Sequence, residues 1–207
     1  MGDIGLVDLT QDNRKKNDIS NKENNENIMQ EKLTSKENDI YIKHKTGKEP
    51  QKLIYQNIRG LITDNSKVKK EYFEEYVKEN NIIIINFTET WFNETIKEDA
   101  NINKFQCIRV DRKDRSRGGA AIYIKDQLDA KTISKINCGK CEMVAINIEQ
   151  LHTINIVIYR PPDTTMNTFT SIIQELENIL ECIKPPKPNI IITGDLNFTF
   201  VKWIRAM

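Results

Sequence analysis

The chain has 207 residues, 38% of them hydrophobic, with 31 Lys/Arg against 30 Asp/Glu for a net charge of +1. That length holds one good-sized domain plus a tail, and a balance so near zero excludes a globally basic nucleic-acid binder, so any attraction to phosphate has to be local. No apolar run approaches bilayer length and the N-terminus lacks a signal-peptide core, so the sequence predicts a protein of the nucleus or cytoplasm, neither secreted nor membrane-bound.

Residues 1–52 hold ten basic and ten acidic residues, many Asn and few large apolar groups. Such a segment cannot bury enough surface to offset its ordering entropy, so a disordered polar tail is expected there, and a folded domain over 53–207. The domain opens with an alternating strand, Leu53–Ile58. A helix, Val68–Val77, follows with Val68, Tyr72, Phe73, Tyr76 and Val77 on one face. Ile82–Phe87 is a continuous β-branched run, the pattern of a strand covered on both faces. Strands are then predicted at Cys107–Val110, Ala120–Lys125, Lys131–Ile136, Glu142–Glu149 and Thr153–Tyr159. Gln150-Leu-His152 is short enough to turn a hairpin between the last two.

Pro161-Pro162 ends that series. A helix from about Thr168 to Ile183 is expected to bury Phe169, Ile172, Ile173, Leu176, Ile179, Leu180 and Ile183, and Lys184-Pro-Pro-Lys-Pro188 stops it. Ile190–Ile192 then reads as a buried strand. This order suits two mixed sheets packed together with helices outside. Cys107, Cys138, Cys141 and Cys182 are expected as reduced thiols. Cys138-Gly-Lys-Cys141 carries half of a zinc-ribbon spacing with no second pair, and reads as a turn between strands.

Polar groups gather at the strand ends. In Thr193-Gly-Asp195-Leu-Asn197 the glycine is expected to release the backbone where the carboxylate appears, and Asp195 and Asn197 point to one side of an extended chain. An Asp that exchanges a proton or holds a metal, beside an Asn that binds a phosphoryl oxygen, suits phosphodiester chemistry. Asn57 closes the first strand, Glu89 follows the Ile82 strand, and Tyr159 ends the hairpin strand. Arg109, Arg112, Lys113, Arg115 and Arg117 cluster in one loop against Asp111 and Asp114, a pattern for phosphate contacts that position DNA without reading its sequence; Arg160 adds a further basic group. Trp91 and Trp203 are read as core packing or anchors rather than base-stacking platforms.

The segments QNIRG, TETW, Arg109–Tyr123, IYRPP and GDLN, in this order, resemble the endonuclease/exonuclease/phosphatase superfamily, and within it the apurinic-type endonuclease domain of non-LTR (LINE-like) retrotransposons. The resemblance runs from about Leu53 to Trp203. It implies an α/β fold, a four-layer sandwich of two mixed sheets with outer helices, and Mg²⁺- or Mn²⁺-dependent nicking of double-stranded DNA by a monomer with no small-molecule cofactor. It implies Glu89 as the main metal ligand supported by Asn57, Tyr159 as the phosphate contact, Asp195 in proton transfer and Asn197 at the phosphoryl group.

The family's closing Ser-Asp-His strand has no counterpart here: the two histidines, His44 and His152, both precede GDLN. The sequence therefore reads as a domain truncated at its C-terminal end, with weak or absent nuclease activity. A DNA-binding remnant and a phosphatase of the same superfamily stand as alternatives.

Overall fold

The computed structural model describes residues 39–42, 51–61, 67–93, 100–113, 117–138 and 141–197. The chain divides into two units, Met1–Asn38 and Asp39–Met207, and every described residue belongs to the second. One expectation is corrected at once. Asp39–Ile42, inside the tail expected to be disordered, forms strand β1, and β2 (Gln51–Asn57) starts two residues earlier than predicted. Asp-Ile-Tyr-Ile concentrates β-formers in an otherwise polar tail, and β1 pairs antiparallel with β2 from Asp39 opposite Ile54 to Ile42 opposite Gln51.

Helix α1 (Lys67–Glu79) precedes β3 (Ile82–Thr88), which is buried along its whole length as its unbroken apolar run requires. Then follow β4 (Phe105–Val110), β5 (Ala120–Lys125), β6 (Ala130–Asn137), β7 (Glu142–Ile148) and β8 (Thr153–Tyr159). A 3-10 turn at Glu149–Leu151 with His152 in the left-handed region closes the β7–β8 hairpin. Helix α2 (Met166–Glu181) and β9 (Asn189–Asp195) complete the described order.

The strands form two mixed sheets, β1-β2-β3-β5-β4 and β6-β7-β8-β9. Their inner faces meet in an apolar cluster that includes Leu53, Ile84, Ile122, Ile124, Val144, Ile146 and Val157. On the outer side of the first sheet Phe73 of α1 meets Phe87 edge-on at 5.0 Å, and Phe87 meets Tyr123 at 5.7 Å. On the outer side of the second, Phe169, Ile172 and Ile179 of α2 pack on Met143, Ala145, Ile154, Ile156 and Ile158. The result is the four-layer α/β sandwich expected.

Two apolar expectations fail for one reason. Ile173 (39% exposed) and Leu180 (46%) sit one residue beyond the buried Ile172 and Ile179, about 100° further round the helix and off the sheet. Ile190 (40%) and Ile192 (49%) lie opposite Ile154 and Ile156, on the outer face of an edge strand, while α2 covers β7 and β8. Periodicity marked the apolar faces correctly but did not say which were covered. The side chains of Val68 and Tyr72 lie outside the described residues.

Toward one end of the strands the inter-sheet layer turns polar. Asn86 of β3 and Asn155 of β8, both fully buried, exchange reciprocal amide hydrogen bonds of 2.9 and 2.8 Å, and Asn86 also donates to Thr193 Oγ1 at 2.8 Å. Two residues further along β3, Thr88 shares a hydroxyl contact of 3.1 Å with Tyr55 of the neighbouring β2, itself opposite Asn86. Beyond these lies the site.

Candidate active site

β2, β3, β8 and β9 all run toward the same rim. β2 is parallel to β3, with Asn57 opposite Thr88, and β8 is parallel to β9, with Tyr159 opposite Asp195. Four of the predicted side chains therefore emerge together, at the strand ends of the two facing sheets. The Asn57 amide nitrogen donates to Glu89 Oε1 at 3.0 Å and to Asp195 Oδ2 at 2.8 Å. One amide thus ties together two carboxylates that lie 106 residues apart in the chain.

Glu89 is held from further sides. Trp91 Nε1 donates to its Oε2 at 3.3 Å, and its carboxylate charge bears on the Tyr159 phenol, which lines the same cleft. Glu89 has φ of +54° and Trp91 φ of +57°, in the left-handed region that non-glycine residues seldom occupy. Backbone bonds hold them there. Gly60 N donates to Glu89 O at 2.7 Å, Leu61 N to Thr90 O at 3.2 Å and Trp91 N to Gly118 O at 2.9 Å. Such outliers cost on the order of 1–3 kcal/mol each and persist where surroundings over-determine them, commonly at functional sites.

Burial first, and then the negative charge of Glu89, push the Tyr159 phenol well above its usual pKa. It is a neutral hydrogen-bond donor at physiological pH. Burial also pushes Tyr55, just beneath, up to about 12. Asn197, at φ of +48°, turns the chain after β9, and its amide nitrogen donates to the Arg160 carbonyl at 2.8 Å. Its backbone N–H reaches Asp195 Oδ1 at 3.3 Å, so both oxygens of Asp195 have donors.

The basic residues separate into two groups. Arg117 is exposed, lies 5.4 Å over the Trp91 ring and lines a cleft of about 550 Å³ together with Glu89, Arg112, Tyr159, Pro161, Pro162 and Asp163. Lys113 is exposed as well. Arg109 lies 4.9 Å over the Phe92 ring and pairs with Asp111 at 3.3 Å. Arg112 and Arg160, expected at the surface as phosphate contacts, are instead buried. Arg112 is ion-paired with Glu142. Arg160 donates to the carbonyls of Leu196, Asn197 and Thr164, and so braces the turn that carries Asp195 and Asn197. A guanidinium that satisfies three backbone carbonyls is structural glue for a turn. Arg115 and Trp203 lie outside the described residues.

Gly194 plays a different part from the one expected. The backbone is not released there: β9 continues through it, opposite Ile158, and a Cβ would run into the Ile158 carbonyl. Trp91 is half-buried rather than part of the core, and its indole N–H braces Glu89. Tyr55, Glu142 and Asp163, with no motif to mark them, also stand at or beside the site. Two of these were recoverable. Tyr55 stands two residues before Asn57 on the same face of β2, and counting back from the hairpin turn puts Glu142 opposite Tyr159.

The cation implied by the resemblance fits these donors. Mg²⁺ takes hard oxygen ligands, one or two carboxylates with the rest water. Asn57 Oδ1 is buried without a hydrogen-bond partner, beside the Glu89 carboxylate. Among the described residues no three His, Cys, Asp or Glu side chains group closely enough to hold a metal, so a cation here would rest on Glu89, Asn57 and water. His152, bonded through Nε2 to the Lys187 carbonyl at 3.0 Å, stands at the opposite end of β8 from Tyr159, about 23 Å away at strand rise. No helix among the described residues is long and apolar enough to cross a membrane.

Comparison with known proteins bears on the fold. The endonuclease domain of TRAS1, a telomere-specific non-LTR retrotransposon, superposes with a TM-score of 0.51 at 16% identity, over 72% of this chain and 60% of that one. A truncated Caenorhabditis elegans TDP2 gives 0.50 at 14%, over 70% and 61%, and an endonuclease/exonuclease/phosphatase from Bacteroides vulgatus 0.50 at 13%, over 72% and 66%. The chain thus spans less than two thirds of the length of these structures, which share its fold. None of the curated proteins compared with it matches. The sequence profile of the Endonuclease/Exonuclease/phosphatase family matches residues 54–205, well over half of the chain. The chain belongs to the endonuclease/exonuclease/phosphatase family.

Proposed function

We propose that this chain carries the phosphodiester-hydrolysing site of a retrotransposon-type DNA endonuclease, dependent on Mg²⁺ or Mn²⁺. The observation that carries the reading is the Asn57 amide shared between Glu89 and Asp195, which assembles two carboxylates and a phenol at one rim of the sandwich. A divalent cation held by Glu89 and Asn57 would supply positive charge against the phosphate oxygens as charge builds on them. Tyr159, neutral and aimed at the same place, donates a hydrogen bond to a phosphate oxygen. Asp195 accepts the proton that the attacking water sheds as its oxygen bonds to phosphorus, while the P–O bond to the leaving sugar oxygen breaks and that oxygen takes a proton from solvent; Asn57 holds the Asp195 carboxylate in place. Asn197 orients the turn. Arg117 and Lys113, exposed beside the cleft, attract the flanking phosphates of double-stranded DNA without reading bases.

Nicking of supercoiled plasmid by the purified full chain in Mg²⁺ tests the reading. Conversion to open circles, lost with EDTA and in Glu89→Ala, is expected; nicking that survives Glu89→Ala would sink it. Holding DNA without cutting it is a second reading, favoured by one observation: no imidazole among the described residues comes near the carboxylates. Salt-sensitive DNA binding with no open circles at any metal concentration would select it.

A further inference from the structure

The cleft beside Glu89 is walled by an ion pair that the chemistry above leaves unused. Arg112 Nε donates to Glu142 Oε1 at 2.7 Å and Nη2 to Oε2 at 3.2 Å, with the two side chains 4% and 0% exposed. Stability alone gives no reason for such a pair, because well-packed apolar side chains commonly do as well in its place. Its surroundings suggest another reason.

The Arg112 guanidinium lies 5.6 Å from the centroid of the Tyr159 ring. Glu142 is the residue directly opposite Tyr159 in the β7–β8 ladder, so ring, guanidinium and carboxylate share one face. Glu142 also accepts the Gly119 backbone N–H at 3.4 Å. Gly118 packs so closely that a Cβ there would stand 2.7 Å from Arg112 Nε, at φ of +103°. The Gly118 carbonyl in turn accepts the Trp91 N–H, and Trp91 braces Glu89. Tyr159 and Glu89, which arrive from different sheets, are thus both fastened to the same buried pair.

Resting on the phosphodiester reading above, we propose that Arg112, fixed by Glu142, is a positioning residue that sets the Tyr159 ring so that its hydroxyl meets Glu89 and the phosphate. The planar guanidinium lies against the ring face, where its charge is attracted to the π-system, while its fork meets the carboxylate. A lysine in its place keeps the charge and loses the fork. Arg112 therefore acts on the phosphate only through Tyr159, in contrast to the exposed Arg117.

The test is ¹⁹F NMR of the full chain labelled with 3-fluorotyrosine, the Tyr159 signal being assigned with Tyr159→Phe. The double variant Arg112→Met/Glu142→Gln removes both charges and leaves neither buried alone. Arg112→Lys is the second variant and decides on the same signal if the double variant does not fold. Displacement or splitting of the Tyr159 resonance, with Tyr55 and Tyr123 in place, is the expected result. In plasmid nicking, Arg112→Lys is expected to lower kcat about tenfold with KM unchanged. A Tyr159 resonance that stays in place in these variants, or tyrosine signals that all move alike, would overturn the assignment. The NMR result stands whether or not the parent chain nicks DNA, so failure of this inference is distinguishable from failure of the endonuclease reading.

Discussion

Substitution of Gly194 by alanine probes how closely β8 and β9 approach just before Asp195. Gly194 has φ of +152°, and an ideal Cβ would overlap the Ile158 carbonyl and stand 2.9 Å from the Ile158 nitrogen. Both are backbone atoms of the neighbouring strand, so no side chain can swing aside and the strands have to part. Overpacking of this kind costs about 1–3 kcal/mol, and each ladder hydrogen bond lost nearby about 1 kcal/mol more, for a total near 3 kcal/mol. The unit Asp39–Met207 has roughly 170 residues, and an unfolding entropy of about 2.1 cal/mol/K per residue converts that loss to a fall in Tm of about 8 °C. Thermal unfolding of Gly194→Ala beside the parent, followed by circular dichroism, measures it directly. A fall of less than about 3 °C, the equivalent of 1 kcal/mol, would show that β8 and β9 tolerate the methyl and that close strand approach is not why a glycine stands there.

Asn57→Leu removes the donor shared by Glu89 and Asp195 and is expected to reduce plasmid nicking by about 10²–10³-fold, the usual loss for one preorganised polar group; a loss under about threefold would mean that the bridge is incidental. Lys113→Ala and Arg117→Ala are each expected to lower the slope of log K for DNA binding against log salt by about one, without changing sequence preference, as read by fluorescence anisotropy. Tyr55 ionises near pH 10 when unfolded and at about 12 when folded, so its proton stabilises the fold below pH 10 and that stability is lost as pH rises from 10 to 12. Urea midpoints of the parent should fall across that range and fall less steeply in Tyr55→Phe; identical slopes would count against the shift.

Much of the fold was legible because the strands carry unambiguous patterns. Ile82–Thr88 has no polar alternation over its first four residues and is buried on both faces, Ala120–Lys125 has its predicted bounds, and Thr153–Tyr159 ends just before the Pro161-Pro162 stop. The hairpin length also fixed which residue faces which across β7 and β8. Coverage was not legible. Ile190 and Ile192 follow the pattern of a buried strand, yet burial depends on a helix lying over them, and no local spacing encodes where α2 lies.

At the site, Asn57, Glu89, Tyr159 and Asp195 each read alone as ordinary turn, core or loop residues; it is their order in motifs that names them together, and the fold brings these four side chains to one rim. The arginines were harder. Arg112 and Arg117 sit five apart in one basic loop and look alike in sequence, but only the fold supplies Glu142 opposite one of them. Arg160 likewise faces carbonyls brought to it by a turn some 37 residues later.

The Asn86–Asn155 exchange has a consequence for the chemistry at the rim. A slip of either sheet by one residue would turn one of these amides away from the other and strand donors and acceptors in a dry interior, at about 1–3 kcal/mol for each group left unmatched. Strand sliding is therefore quantised, and the nearest alternative alignment is costly. The gap across which Glu89 and Asp195 face one another is gauged from below, by two carboxamides that never touch a substrate.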